Sequence, residues 1–213
     1  MTEALAPSEV RVLGALIEKE GTTPEYYPLS LNALVNACNQ KSNRDPVVDY
    51  DDEIVLAAIE RLRALKLAFI ITGSRVTKYS QRISETLNLG RRELAALCTL
   101  LLRGPQTLGE IKDRSERMFA FGDLSEVETV LDRLADWPGG ALVTKLPKQP
   151  GQKETRFAQL LSGEPSVETI PLSSTSPAPN ASRIVQLEID LQQLRAEFQD
   201  LKQRFDQLED QLK

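Results

Sequence analysis

Histidine is missing from this 213-residue chain, and its absence excludes a broad range of chemistry. Without an imidazole there is no histidine-based triad, no imidazole metal site and no side chain with an ordinary pKa close to neutrality. Cysteine is nearly as scarce. The two thiols, Cys38 and Cys98, stand far apart in apolar helical contexts, which makes neither a zinc cluster nor a disulfide framework and fits a reducing compartment. Aromatic residues make up only 5% of the chain. No stretch approaches the roughly twenty apolar residues of a membrane span. The start, MTEALAPSEVRVLGAL, has acids before its apolar residues and no basic region, unlike a secretion signal. Glycine-rich phosphate loops are also absent. These gaps predict a cytoplasmic protein that is not an enzyme, with no cofactor, no metal site and no membrane partner.

The most regular feature present is at the end of the chain. From Ile184 the apolar residues recur at Leu187, Leu191, Leu194, Phe198, Leu201, Phe205, Leu208 and Leu212, in an unbroken 3-4 spacing. This heptad pattern predicts a coiled coil over residues 184–213. In a parallel, in-register dimer the flanking pairs are Asp190 with Arg195, Glu197 with Lys202, and Arg204 with Glu209, all attractive. Each is worth a few tenths of a kcal/mol, enough to select orientation. A parallel homodimer is expected; a single amphipathic helix folded back on its own chain is the alternative.

The body carries an internal repeat. Val10, Leu13, Leu16 and Ile17 of a first helix match Leu94, Leu97, Leu100 and Leu101 at an offset of 84. Pro28-Leu29-Ser30 matches Pro105-Gln106-Thr107 at 77, with Ser30 and Thr107 placed to cap a second helix. Val55, Ala58, Ile59 and Leu62 match Val127, Val130, Leu131 and Leu134 at 72. The falling offset assigns the first copy longer connections, one after its first helix and one between its second and third.

A hairpin signal follows each third helix. Ala68–Thr72 and Arg75–Tyr79 flank Gly73-Ser74, a two-residue turn, while Ala141–Lys145 and Thr155–Gln159 flank a looser segment. Three helices and a hairpin, twice over, predict a mainly α fold with small β wings: two tandem winged-helix (helix-turn-helix) domains, at 6–82 and 90–162. A linker at 163–183, rich in Ser, Thr and Pro, leads to the coiled coil.

Particular runs resemble a known family. Glu18-Lys19, Thr22-Thr23-Pro24, Tyr27-Pro28-Leu29-Ser30 and above all Asn36-Ala37-Cys38-Asn39-Gln40-Lys41-Ser42-Asn43-Arg44-Asp45-Pro46-Val47 are similar to the signature of the YceH-like bacterial proteins. Leu100–Gly104, Gln106-Thr107, Arg117-Met118 and Ser125–Glu128 extend the likeness to about residue 165. The resemblance implies tandem winged helices with a C-terminal coiled coil, and implies no biochemical activity.

Winged helices commonly place the third helix in the major groove and the wing on phosphates, with affinity supplied by Lys and Arg. Residues 1–82 hold ten basic and eleven acidic side chains, residues 83–162 eleven of each, and the rest five basic against nine acidic. The net charge of −5 therefore resides mostly in the tail, and neither body domain has a basic footprint. Acids mark both third helices: the first opens with Asp49, Asp51, Asp52 and Glu53, and the second carries Asp123, Glu126, Glu128 and Asp132. They suit the helix dipole and would face phosphates in the usual docking.

The first copy is the better candidate for DNA. Asn39, Gln40, Lys41, Asn43 and Arg44 lie in the loop before its third helix, with Arg75 and Lys78 on its wing, and these residue types bind base edges and phosphates. Lys112 and Arg114 of the second copy are expected to contribute little. The same amides could instead tie down a long connection through side-chain-to-backbone bonds, and the wing cations could be ordinary solvated strand positions. Tyr26 and Tyr27 are expected to tuck onto the domain, and both cysteines to be packed helix residues.

Two functions follow. The first is a dimeric DNA-binding, transcription-related protein acting through domain 1. The second is a scaffold whose winged helices bind protein, resembling the tandem winged-helix subunits of chromosome-condensing complexes.

Overall fold

The computed structural model describes residues 3–72, 76–148, 152 and 154–165. The chain divides into two units, 1–165 and 166–213. The heptads at 184–212, the linker and Arg75 lie outside the described residues. Unit one is mainly helical with two small antiparallel sheets.

Its elements run in order α1 (Pro7–Thr22), a 3-10 turn (Pro24–Tyr26), β1 (Leu29–Ser30), α2 (Leu31–Cys38), α3 (Asp52–Ala64), β2 (Ala68–Ile71), β3 (Lys78–Gln81) and the short α4 (Ile83–Thr86). The second half continues with α5 (Arg91–Arg103), α6 (Leu108–Ser115), α7 (Leu124–Ala135), β4 (Val143–Lys145) and β5 (Phe157–Gln159). Helix starts follow local chemistry. Ser30 Oγ accepts from Ala33 N, and its counterpart Thr107 accepts from Glu110 N and completes a capping box. Asp51 and Asp123, again counterparts, cap α3 and α7 by accepting from Ile54 N and Glu126 N.

The repeat is visible in the sheets as well. In the first copy β3 lies between β1 and β2, with Leu29 opposite Tyr79. The second copy reduces the first of these ladders to one bridge, Gln106 opposite Phe157, closed by two backbone bonds of 3.0 and 2.8 Å. The first hairpin departs from the two-residue turn expected at Gly73-Ser74. Ile71 pairs with Lys78, so the connection is longer and the second strand starts at Lys78. That register turns Tyr79 and Gln81 inward, where Tyr79 is buried beside β1.

One continuous core joins the two copies. Helix α1 is buried on every face from Glu9 to Ile17, because α2 and α3 cover one side and α5 covers another. Helix α5 is buried from Ala95 to Leu102 for the same reason. Packing between them is tight at Gly14, where an added Cβ would stand 2.8 Å from Leu102 Cδ2. Cys98, the counterpart of Gly14 in the repeat, donates to the Gly14 carbonyl at 3.3 Å. Equivalent positions of the two first helices thus touch each other. The ends of the unit are also joined, by Leu5 N donating to Leu161 O at 2.8 Å.

Candidate functional site

The loop between α2 and α3 was the sequence's best candidate for DNA contacts, and the structure turns most of it inward. Arg44 is 5% exposed. Every N–H of its guanidinium has an acceptor. Nη1 and Nη2 grip the Glu18 carboxylate at 3.0 and 2.6 Å, Nε and Nη2 bond the Ala37 carbonyl at 3.2 and 2.8 Å, and Nη1 reaches the Asn43 carbonyl at 3.0 Å. No part of that side chain is left to meet a phosphate. The expectation for Arg44 is therefore corrected: it is the hub of a buried ion pair, a use of arginine's planar fork that lysine could not copy.

Its partner Glu18 is governed by opposed effects. Burial alone would raise the carboxyl pKa, but the hydrogen bonds and charge of Arg44, aided by Lys19, outweigh burial and hold it below the ordinary carboxylate value. Arg11 supports the same loop from the other end, donating to Cys38 O at 3.4 Å and Pro46 O at 2.5 Å. Burial and the neighbouring Arg44 charge lower its pKa.

The remaining loop residues divide between internal and exposed. Asn39 donates to Tyr50 O at 2.7 Å and accepts from Tyr50 N at 2.8 Å, so its amide is committed to the fold. Gln40 accepts from Lys19 Nζ at 3.3 Å. Asn43 sits in the left-handed region (φ 59°) and accepts from Arg103 of α5. Asp45 N donates to Leu102 O at 2.9 Å. The loop is thus a strut from its own copy to the second one. Lys41 alone of the proposed cations in this loop is exposed, with no ion pair among the described residues. Lys78 is half-buried on β3.

Helix α3 presents a distinct surface. Its buried side is Val55, Ala58, Ile59 and Leu62; outward stand Asp52, Glu53, Ile54, Leu56, Ala57 and Glu60. Ile54 is 39% and Leu56 37% exposed. The arginines of this helix are already occupied by carboxylates: Arg61 pairs with Glu3 and Glu9, Arg63 with Glu60. Nearby, Tyr26 is 73% exposed, which overturns the expected tuck for that ring. Tyr27 does turn inward, and its hydroxyl accepts from Gln81 N at 2.5 Å.

Both thiols are buried, as read from sequence. Burial pushes Cys38 up to about 12, against the pull of Arg44 and Arg11, and raises Cys98 still further. At neutral pH each is a protonated packing residue. Among the described residues no group of three or more acids and cysteines is placed to hold a metal, and no helix is long and apolar enough to cross a membrane. One grouping escaped sequence reading altogether: Arg103, Arg114 and Arg117 line a cleft with Glu18 and Asn43 between the two copies. Their separation in sequence gave no signal of it.

With this geometry in place, comparison with known proteins fixes the lineage. The family described as "Protein of unknown function, DUF480" matches residues 5–152, nearly the whole of unit one. The chain belongs to the DUF480 family. Relatives carrying the name UPF0502 extend the likeness into the tail. One from Solibacter usitatus is 52% identical over 205 residues, covering 95% of this chain and 98% of its own. Another from Citrifermentans bemidjiense is 50% identical over 194 residues, covering 90% of each. UPF0502 protein VV2_0756 of Vibrio vulnificus is 44% identical over 213 residues, covering 95% and 97%. This DUF480 chain therefore matches its relatives in length as well as in sequence.

Proposed function

We propose that the body is a tandem winged-helix module, residues 6–82 and 90–162, that binds a protein partner through α3 and works without catalysis of its own. The fold reading is supported by the order helix, β-pairing residue, helix, helix, hairpin, which occurs twice with matching caps, the first pairing being a two-residue strand in one copy and a single bridge in the other. One observation carries the functional reading: the solvent side of α3 carries Asp52, Glu53 and Glu60, with the exposed Ile54 and Leu56 on opposite flanks of its buried stripe, while its arginines are held in ion pairs. Set in a DNA groove, that face would bring carboxylates to phosphates and leave apolar side chains against a polar wall. Against a protein groove with Lys or Arg along its floor and apolar walls, the same residues are complementary in charge and in hydrophobicity.

Self-association through the heptads at 184–212 belongs to the same proposal, since pairing two such modules raises avidity without any new contact. The competing DNA reading would use Lys41 and Lys78. The two readings are separated by anisotropy measurements on the full chain. Basic amphipathic helical peptides are expected to bind, acidic ones of equal hydrophobicity are not, and Ile54→Asp with Leu56→Asp abolishes binding. Salt-sensitive binding to generic duplex DNA that Lys41→Ala and Lys78→Ala remove, in a chain indifferent to both peptides, overturns the proposal in favour of DNA.

A further inference from the structure

We infer that the cleft between the two copies is a binding site for a phosphate-sized oxyanion, free or as the terminal group of a small ester. Its floor is buried Cys98, Thr99 and Leu102 of α5, and its rim carries Arg103, Arg114 and Arg117. The first copy supplies the opposite wall, with Glu18, Thr22 and Asn43.

Charge accounting favours an anion. Glu18 is paired with the bidentate Arg44 and with Lys19 at 3.4 Å, so it offsets the rim only in part. Arg103 donates to the neutral Asn43 amide and has no carboxylate partner among the described residues. Arg117 is exposed and has no ion pair among the described residues. Only Arg114 is shared with a carboxylate, Glu110, at 3.4 Å, and that carboxylate is also bonded by Arg156 at 2.8 Å. Burial first, then the charges of Arg114 and Arg44, lower the Arg103 pKa against the opposing pull of Asp45 and Glu18, and a bound anion would relieve it.

Size narrows the ligand further. The cleft volume is about 40 Å³. A cavity needs roughly 10–15 Å³ to hold one water, so this one takes a group of a few heavy atoms. Guanidinium groups are the side chains best shaped for the oxygens of such a group. Because its walls come from both copies, the bound anion would bridge them.

Calorimetric titration and thermal melting of the full chain with sodium phosphate, against sodium chloride at matched ionic strength, test this. Phosphate should raise the melting temperature where chloride does not, as expected when a ligand binds only the folded state. Arg117→Ala should leave the ligand-free melting temperature unchanged and weaken phosphate binding at least tenfold. Arg63→Ala, on the far α3 surface, should alter neither. Glycerol phosphate binding more tightly than the inorganic ion assigns the site to a small ester, and weaker binding assigns it to free phosphate. Equal shifts from chloride, no binding of either phosphate, or full affinity in Arg117→Ala would overturn the inference.

Discussion

The two copies differ in the connection from second to third helix: residues 39–51 in the first, and the shorter 116–123 in the second. Both contain arginine, with opposite fates. Arg44 is buried against Glu18 and three backbone acceptor bonds, whereas Arg117 stands exposed on the rim of a cleft. Loop composition did not decide this. The decisive residue was Glu18, on a helix the loop crosses only in three dimensions. An arginine in a polar loop is thus a surface cation or a core strut according to what the rest of the chain places beneath it.

The largest test of that contrast is Arg44→Ala against Arg117→Ala. Removing one partner of a buried ion pair leaves an uncompensated charge and costs about 3–5 kcal/mol. In a unit of this size that is a loss of roughly 10 °C in melting temperature, while Arg117→Ala should shift it negligibly. Equal effects in calorimetry would erase the distinction drawn here.

Acid sharpens the comparison. Because Glu18 titrates below its ordinary value of 4.5, its pair contributes fully above that value and is lost as pH falls through the lowered pKa. The stability gap between the native chain and Glu18→Gln should therefore be wide at pH 7 and close in strongly acidic solution. Glu20, whose pKa burial raises despite a hydrogen bond from Gln81, shifts the other way and is common to both proteins, so it cancels in the difference. A gap that stays constant in denaturant titrations between pH 7 and pH 3 would remove Glu18 as the titrating group.

Smaller effects are expected where the copies meet. Gly14→Ala gains about 1 kcal/mol of helix propensity but forces Leu102 to move, at about 1–3 kcal/mol, for a net loss near 1 kcal/mol. Cys98→Ala, at the equivalent position, removes a sulfur without a clash, and the melting curves of the two variants should differ accordingly. The smallest effect belongs to Lys41→Ala, which should leave stability within about 0.5 kcal/mol.

What the sequence disclosed and what it concealed follow from range. Ser30 and Thr107 act three residues away, so their capping roles could be read directly; Asp51 and Asp123 cap in the same way, where the sequence reading gave them only a dipole role. The buried stripes of α3 and α7 repeat at helical spacing and were equally plain. Neither the pairing of Arg44 with Glu18 nor the gathering of Arg103, Arg114 and Arg117 has a local signature. Strand register was intermediate: both hairpins were located, but the pairing of Ile71 with Lys78 depends on Tyr79 reaching β1, a contact formed only by the folded chain.

The burial of α1 on all faces bears on how the protein is made. On a ribosome adding about 5–20 residues per second, the first copy is complete about 1–4 seconds before α5 exists to cover Val12, Leu16 and their neighbours. During that interval the nascent chain carries an uncovered apolar helix, the kind of surface that chaperones retain and that aggregates when they do not. The second copy is thus the lid that completes the first during synthesis, and a transcript truncated before α5 yields a fragment destined for degradation.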